Sequence, residues 1–452
     1  MIRPNLRRFL TAAMSLFAVP CVANAQYFDG GAGYPAVCPP QPSGYAAPQV
    51  NHYVSGTSDV WDDSRPIERF LTNAVQQSWI RMEFMYMDFG DLGDGFVGAP
   101  VSGLQNGPLS GQQEGRDVPV DYTDNLNGGT PVGATLIPTY NGLDLDNIPG
   151  VRGTWGLKLD GAEMELSFFG TGQQNAVSDF GSLAEGRIAR FALDPTIDPE
   201  LGLSQTPLLP GKKPFAPNYA IPLSTNGVEQ DFLGANALVF NDTLTLGMSS
   251  QVWGAEFSLL TPRRAPGGAG PSLQWLGGVR YLNLDEKFSI RGTNGTFNGT
   301  DAIVPDRFTS IDSETINNIY GPELGARLAL NSKYFSFSAT PRVMMGLNDY
   351  TATVVSNPLG NQSTSTDRHS IDFATATQLN LLTEVHLNSH FSLYGGYDFL
   401  CITSITRPQK NVFYDSTVPA LGGAATVDIR ERTTLSDYFY AHGFSFGATF
   451  RY

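Results

Sequence analysis

The chain has 452 residues, 41% of them hydrophobic and only 16% charged, with a formal net charge of -15. That acidity argues against nucleic acid as a partner, and the scarcity of charge beside 49 Gly, 30 Pro, 28 Phe and 18 Tyr points to a many-turned all-β protein. No Cys-x-x-Cys spacing occurs among the three cysteines, so no thiolate metal site is expected.

Residues 1–25 read as a secretory signal peptide. They have a basic start at Arg3, Arg7 and Arg8, an apolar stretch from Phe9 to Cys21, and the small-x-small site Ala23-Asn24-Ala25 before Gln26. The apolar stretch is well short of the roughly 20 residues that a spanning helix needs, and Pro20 interrupts it. Removing the three arginines takes the net charge from -15 to -18. Cys38 and Cys401 would remain, far apart in sequence and not expected to pair. Residues 26–78 form a Gly/Pro/Tyr-rich periplasmic leader whose composition suits a disordered spacer. Near its end, Ile67, Phe70, Leu71, Ala74 and Val75 have helical spacing, which predicts a short helix placed to cap or plug the mouth of the domain that follows.

From Trp79 to the end the hydrophobic period is two. Trp79 to Asp88 puts Ile80, Met82, Phe84 and Tyr86 on one face and Arg81 and Glu83 on the other. Val151 to Asp160 sets Val151, Trp155, Leu157 and Leu159 against Arg152, Thr154 and Lys158. It turns at Asp160-Gly161, a dipeptide suited to tight hairpins, into Ala162, Met164, Leu166 and Phe168 with Glu163 and Glu165 opposite. Further pairs follow: Trp253 to Leu259 with Leu273 to Tyr281, Leu324 to Leu330 with Phe335 to Val343, and Phe373 to Leu387 with Phe391 to Thr403. The last strand, Tyr438 to Tyr452, alternates Phe444, Phe446, Phe450 and Tyr452 with Gly443, Ser445, Gly447, Thr449 and Arg451.

Long connections (89–150, 171–245, 285–318, 348–370, 406–437) alternate with short ones (160–161, 261–272, 331–333, 388–390). Transmembrane barrels show this asymmetry, with an even strand number and short turns on the periplasmic side. The expected fold is therefore an antiparallel up-and-down transmembrane β-barrel of about ten strands over residues 79–452, or twelve if Phe232 to Phe240 hides a further pair. A soluble β-sandwich predicts neither the loop alternation nor aromatic clusters at strand ends such as Tyr394, Tyr397 and Phe399 or Tyr438, Phe439 and Tyr440. Beyond the signal peptide no apolar run is long enough for a membrane helix, so a spanning form must be a closed barrel.

The signal peptide, the leader, Trp253-Gly-Ala-Glu-Phe257, Leu276-Gly-Gly-Val-Arg-Tyr-Leu282 and the terminal Phe450-Arg-Tyr452 together resemble the "beta-barrel protein seven" family of bacterial outer-membrane barrels, from about Trp79 to the end. The resemblance implies a location in the cell outer membrane and a barrel fold. It implies no defined chemistry.

By the alternation, Arg81, Glu83, Arg152, Lys158, Glu163, Glu165, Glu256, Arg280, Glu323, Arg327, Arg342, Glu384 and Arg451 face the lumen, with Asp372 and Asp398 beside them. Mixed signs in a bore of ten to twelve strands favour a salt-bridged, largely plugged interior. The alternative is a narrow porin-like channel for small solutes; an adhesin or receptor role for the loops ranks lower. A surface hydrolase needs a histidine beside a nucleophile. His52, His369, His386, His390 and His442 accompany no serine motif, and no enzyme is expected. The Asp-rich stretches Asp88 to Gly95 and Asp144 to Asn147 lack EF-hand spacing, so neither metal nor cofactor is expected. The expected partners are outer-membrane lipid and the barrel-insertion machinery, for which Phe444, Phe446, Phe450 and Tyr452 form the assembly signal. Small solutes enter only if the bore conducts. The sequence carries no statement of oligomeric state.

Overall fold

The structure is a computed structural model that describes residues 75, 77–90, 92, 95–102, 122–124, 130–132, 135–140, 142–159, 161–180, 218–228, 230–231, 237–240, 243–262, 270–297, 303–358, 363–417, 426–434 and 437–452. The expected signal peptide, leader and short helix lie outside these residues, apart from Val75, Gln77 and Ser78, as does Asp160 of the expected hairpin turn. Trp79–Arg451 forms one compact unit.

Ten strands form a closed antiparallel barrel. They are β1 (Ser78–Phe89), β2 (Ile148–Leu159), β3 (Ala162–Thr171), β4 (Thr243–Leu260), β5 (Gly270–Phe297), β6 (Ile303–Asn331), β7 (Phe335–Asn357), β8 (Thr364–His386), β9 (Phe391–Ile405) and β10 (Asp437–Arg451). Each bonds to its neighbours in sequence, and β10 closes the ring on β1 in register from Trp79↔Arg451 to Phe89↔Ala441. One additional strand, Gln174–Asp179, carries the line of β3 onward along β4, opposite Thr245–Ser250. Among the described residues the ten-stranded ring has no open edge of its own, the condition for crossing hydrocarbon, where an unpaired backbone group costs several kcal/mol.

The wall has two regimes. Near the short turns the outward residues are apolar, as in Leu273, Trp275 and Val279 of β5 and Leu324, Leu328 and Leu330 of β6, while Gln274, Arg280 and Glu323 point inward and are buried. The outward run Tyr320 to Leu330 is about the 9–11 residues that a tilted strand needs to span a bilayer. Farther along the same strands the faces exchange character. On β5, Lys287 and Arg291 face out while Leu284, Phe288 and Ile290 are buried inside; on β7, Tyr350, Ala352 and Val354 are buried while Asp349 stands outside. Alternation by twos is kept throughout, and only its sign changes.

That reversal corrects the expected connections. Those at 285–318 and 348–370 are mostly strand, since β5 and β6 run to Phe297 and from Ile303, and β7 and β8 to Asn357 and from Thr364. The barrel closes with the ten strands expected; the alternative of twelve is not met among the described residues, because Ala237–Phe240, within the suspected extra pair, bonds to Asn218–Pro222 in a small separate sheet. Tyr394 and Phe439, expected among strand-end aromatic clusters, are buried in the interior, because the cluster reading ignored the parity that separates them from Tyr397 and Tyr438.

Candidate functional site: the barrel interior

The interior of the short-turn half is built from inward stripes of Arg and Glu on nearly every strand. Among the described residues, arginines 152, 280, 327, 342 and 451 pair with Glu83, Glu165, Glu256, Glu323, Glu384 and Asp398, while Arg81 donates to Thr449 and Glu163 accepts from Trp79. Burying an ion costs several kcal/mol unless a partner and hydrogen bonds compensate it, so the pairing pattern decides whether this layer is tolerable.

The pairs run both between neighbouring strands, as in Arg280–Glu323, and across the bore, as in Arg327–Glu165. Arg327 on β6 makes a two-pronged contact with Glu165 on β3, at 2.7 Å for each nitrogen. Such fork-to-fork geometry is the strongest form of this interaction. Arg280 and Arg342, from β5 and β7, share Glu323 at 3.2 and 3.4 Å, and both also approach Glu256 of β4. A second cluster joins Arg152 to Glu83 at 3.0 Å and to Asp398 at 2.8 Å, with the Asn380 amide also donating to Asp398. Glu163 accepts from Trp79 Nε1 at 3.0 Å and from Gln274 Nε2 at 3.3 Å. Arg451 bonds Glu384 and donates to Ser392 Oγ at 2.7 Å.

Above this layer the interior becomes apolar. Phe169 marks the boundary, its ring beneath the guanidinium groups of Arg152 and Arg280 at 5.9 and 5.7 Å. Beyond it Met85, Met87 and Phe89 of β1, Leu244 and Leu246 of β4, Phe288 and Ile290 of β5 and Ile402 of β9 pack with loop residues Val97, Leu143, Leu145, Ile221, Leu238, Val412 and Ile429 in one cluster. The connecting segments thus fold in against the wall. One of them, from Thr406 through the 3-10 turn Pro408–Lys410, is anchored by Arg407, which bonds both carboxylate oxygens of Glu286 at 3.1 and 2.7 Å. Burial works against the charge of Arg407, and the Glu286 carboxylate more than offsets it, holding the guanidinium above its usual pKa. Asn317 on β6 donates to the Thr406 carbonyl at 2.9 Å and accepts from its N–H at 3.2 Å. Burial pushes the Tyr140 and Tyr414 phenols up in this region.

Between the layers lies a cavity of about 20 Å³, lined among others by Met85, Phe169, Val252, Arg280, Gln378 and Asp398. It is large enough for about one water molecule.

The model of the family described as "Putative beta barrel porin-7 (BBP7)" matches residues 219–452. The chain belongs to this family. The match begins later than Trp79, where the sequence resemblance starts, and takes in β4 to β10. No curated protein matches. Among solved structures, the chain is similar to the outer membrane protease OmpT from Escherichia coli at 8% identity and a TM-score of 0.36, covering 84% of this chain and 97% of that one. It is also similar to the translocator domain of the autotransporter NalP from Neisseria meningitidis (8% identity, TM-score 0.23, 88% and 98% covered). A third likeness is to a Pseudomonas aeruginosa FadL homologue (10%, 0.24, 83% and 90%). Scores this low carry nothing about what this chain does.

In this BBP7 barrel, Lys158 stands apart from the other residues expected in the lumen. It is the register partner of Glu163 but is exposed near the strand end, and Asp372 is half-buried. Four of the other aromatics present their rings outside: Phe444, Phe446, Phe450 and Tyr452 are 69%, 52%, 46% and 39% exposed, with Phe446 stacked on Phe84 at 5.9 Å. Sequence reasoning missed Trp79, Gln274 and Asn380 as partners in the ionic layer. Trp79 and Gln274 share parity with Arg81 and Arg280, a signal that could have placed them. Glu286 shares the parity of Arg280 too, but Arg407 lies in an aperiodic segment with no signal to find it.

Proposed function

We propose that the chain is an integral protein of the cell outer membrane, structural or surface-exposed, whose bore is closed at two levels. The short turns face the periplasm and the long connections face outward; lipid surrounds the apolar band, and the barrel-insertion machinery receives the β10 aromatics. The observation that supports closure most is the succession of two filled layers, paired ions and then an apolar core, with a void between them of only about 20 Å³. The family's description as a porin supports the second reading, a narrow channel for small solutes.

No catalytic role is part of the proposal. Ser392 Oγ and His386 Nδ1 are 3.0 Å apart, but Ser392 is fully buried and its oxygen already accepts from Arg451 at 2.7 Å. A nucleophile needs an approach to substrate that this serine lacks.

Proteoliposome swelling tests the proposal. With the purified chain, vesicles in glycerol or arabinose should swell no faster than protein-free vesicles. Swelling that falls with solute size would favour the channel.

A further inference from the structure

The two ion clusters come close without touching at the cavity below Phe169. Three polar atoms of residues lining that cavity, Arg280 Nε, Gln378 Oε1 and Asp398 Oδ2, are buried and find no hydrogen-bond partner among the described residues. Their other atoms are committed elsewhere: Arg280 Nη1 donates to Glu323 at 3.2 Å, and Asp398 Oδ1 accepts from Arg152 and Asn380. All three residues are more than nine-tenths buried. Met85, Phe169 and Val252 supply apolar walls.

The set consists of one donor and two acceptors. A chloride ion would gain from Arg280 but meet a carboxylate and an amide oxygen; a sodium ion would gain from those oxygens but sit against a guanidinium. A water molecule accepts once and donates twice, matching each atom in turn, and a cavity of about 20 Å³ holds one. We propose that a single water binds here, accepting from Arg280 Nε and donating to Gln378 Oε1 and Asp398 Oδ2. It ties the Glu83, Arg152, Asp398 cluster to the Glu256, Arg280, Glu323, Arg342 cluster, so that these two clusters become one network that reaches β1, β2 and β4 to β9. This goes beyond the closed-bore reading, because it concerns how the layer is joined and not whether solutes pass.

Crystals of the full chain, native and under xenon pressure, test it. The expected result is one isolated density peak within about 2.6–3.2 Å of all three atoms in the native crystal and no xenon at that place. A xenon peak would show a dry cavity, a direct Arg280 to Asp398 contact would show a collapsed one, and a file of peaks running on past Phe169 would show a conduit; each overturns the assignment. Gln378→Leu removes one acceptor at nearly constant size. The water should then be absent or weakly occupied, and full occupancy at the same point would overturn its three-point binding.

Discussion

The two halves of the barrel wall solve the same problem with opposite signs. Around the short turns, in the band proposed to meet hydrocarbon, apolar side chains point out and the interior must hold the polar ones, where Arg and Glu pair between neighbouring strands and across the bore. Toward the long connections Lys287, Arg291 and Asp312 face out, and the interior is largely apolar, with the Arg407–Glu286 pair buried in it. A single strand such as β5 passes from one regime to the other between Arg280 and Leu282 without losing register. Solvent, not strand propensity, therefore sets which face is apolar.

The largest effect should come from cutting the lipid-facing seam. Deleting Phe450 to Tyr452 removes register partners of Trp79 and Ile80 and leaves backbone groups unpaired in hydrocarbon. The heat-modifiable form should vanish from the outer-membrane fraction. Deleting Gly295 to Phe297, which shortens the β5–β6 hairpin at the opposite end, should leave its level unchanged. Equal losses from both deletions would erase the distinction between the halves.

Next in size are the buried contacts, where the halves should differ in additivity. Arg327→Met leaves Glu165 buried and unpaired and should cost about 3–5 kcal/mol. Adding Glu165→Leu should restore most of that stability, as judged by chemical unfolding in detergent. Phe288→Ala in the apolar half should cost a similar 3–5 kcal/mol, and adding Ile290→Val should cost about 1 more rather than recover anything. Recovery in the second pair, or none in the first, would contradict the assignment of the layers.

The smallest effect belongs to the exposed outer face. His369 lies 2.6 Å from Asp349 with its side chain largely in solvent, so His369→Ala should change the unfolding free energy by less than about 1 kcal/mol.

The wall is legible in the sequence wherever alternation coincides with the apolar band: each expected stretch from Trp79 to Tyr452 matches a barrel strand, with Leu387 and Tyr452 one residue past the strand ends and Asp160 outside the described residues. Inward orientation followed from parity alone, as for Glu83, Glu323 and Arg342. Which arginine meets which glutamate did not, because Arg327 reaches Glu165 across intervening strands and that geometry depends on stagger around the ring. The extensions of β5 to β8 look like loops in the sequence because an outer face is recognised there by apolar residues, which in these stretches are inside. The segment at 406–411 has no period at all. Its place against Glu286 and Asn317 is tertiary information.

Planar-bilayer recording of the purified full-length chain tests the central claim, closure by two dissimilar layers, most directly. Reproducible silence is expected from the intact protein at moderate voltage. Stable single-channel steps of uniform size would contradict it, for they would mean that ions pass both the paired charges and the apolar core.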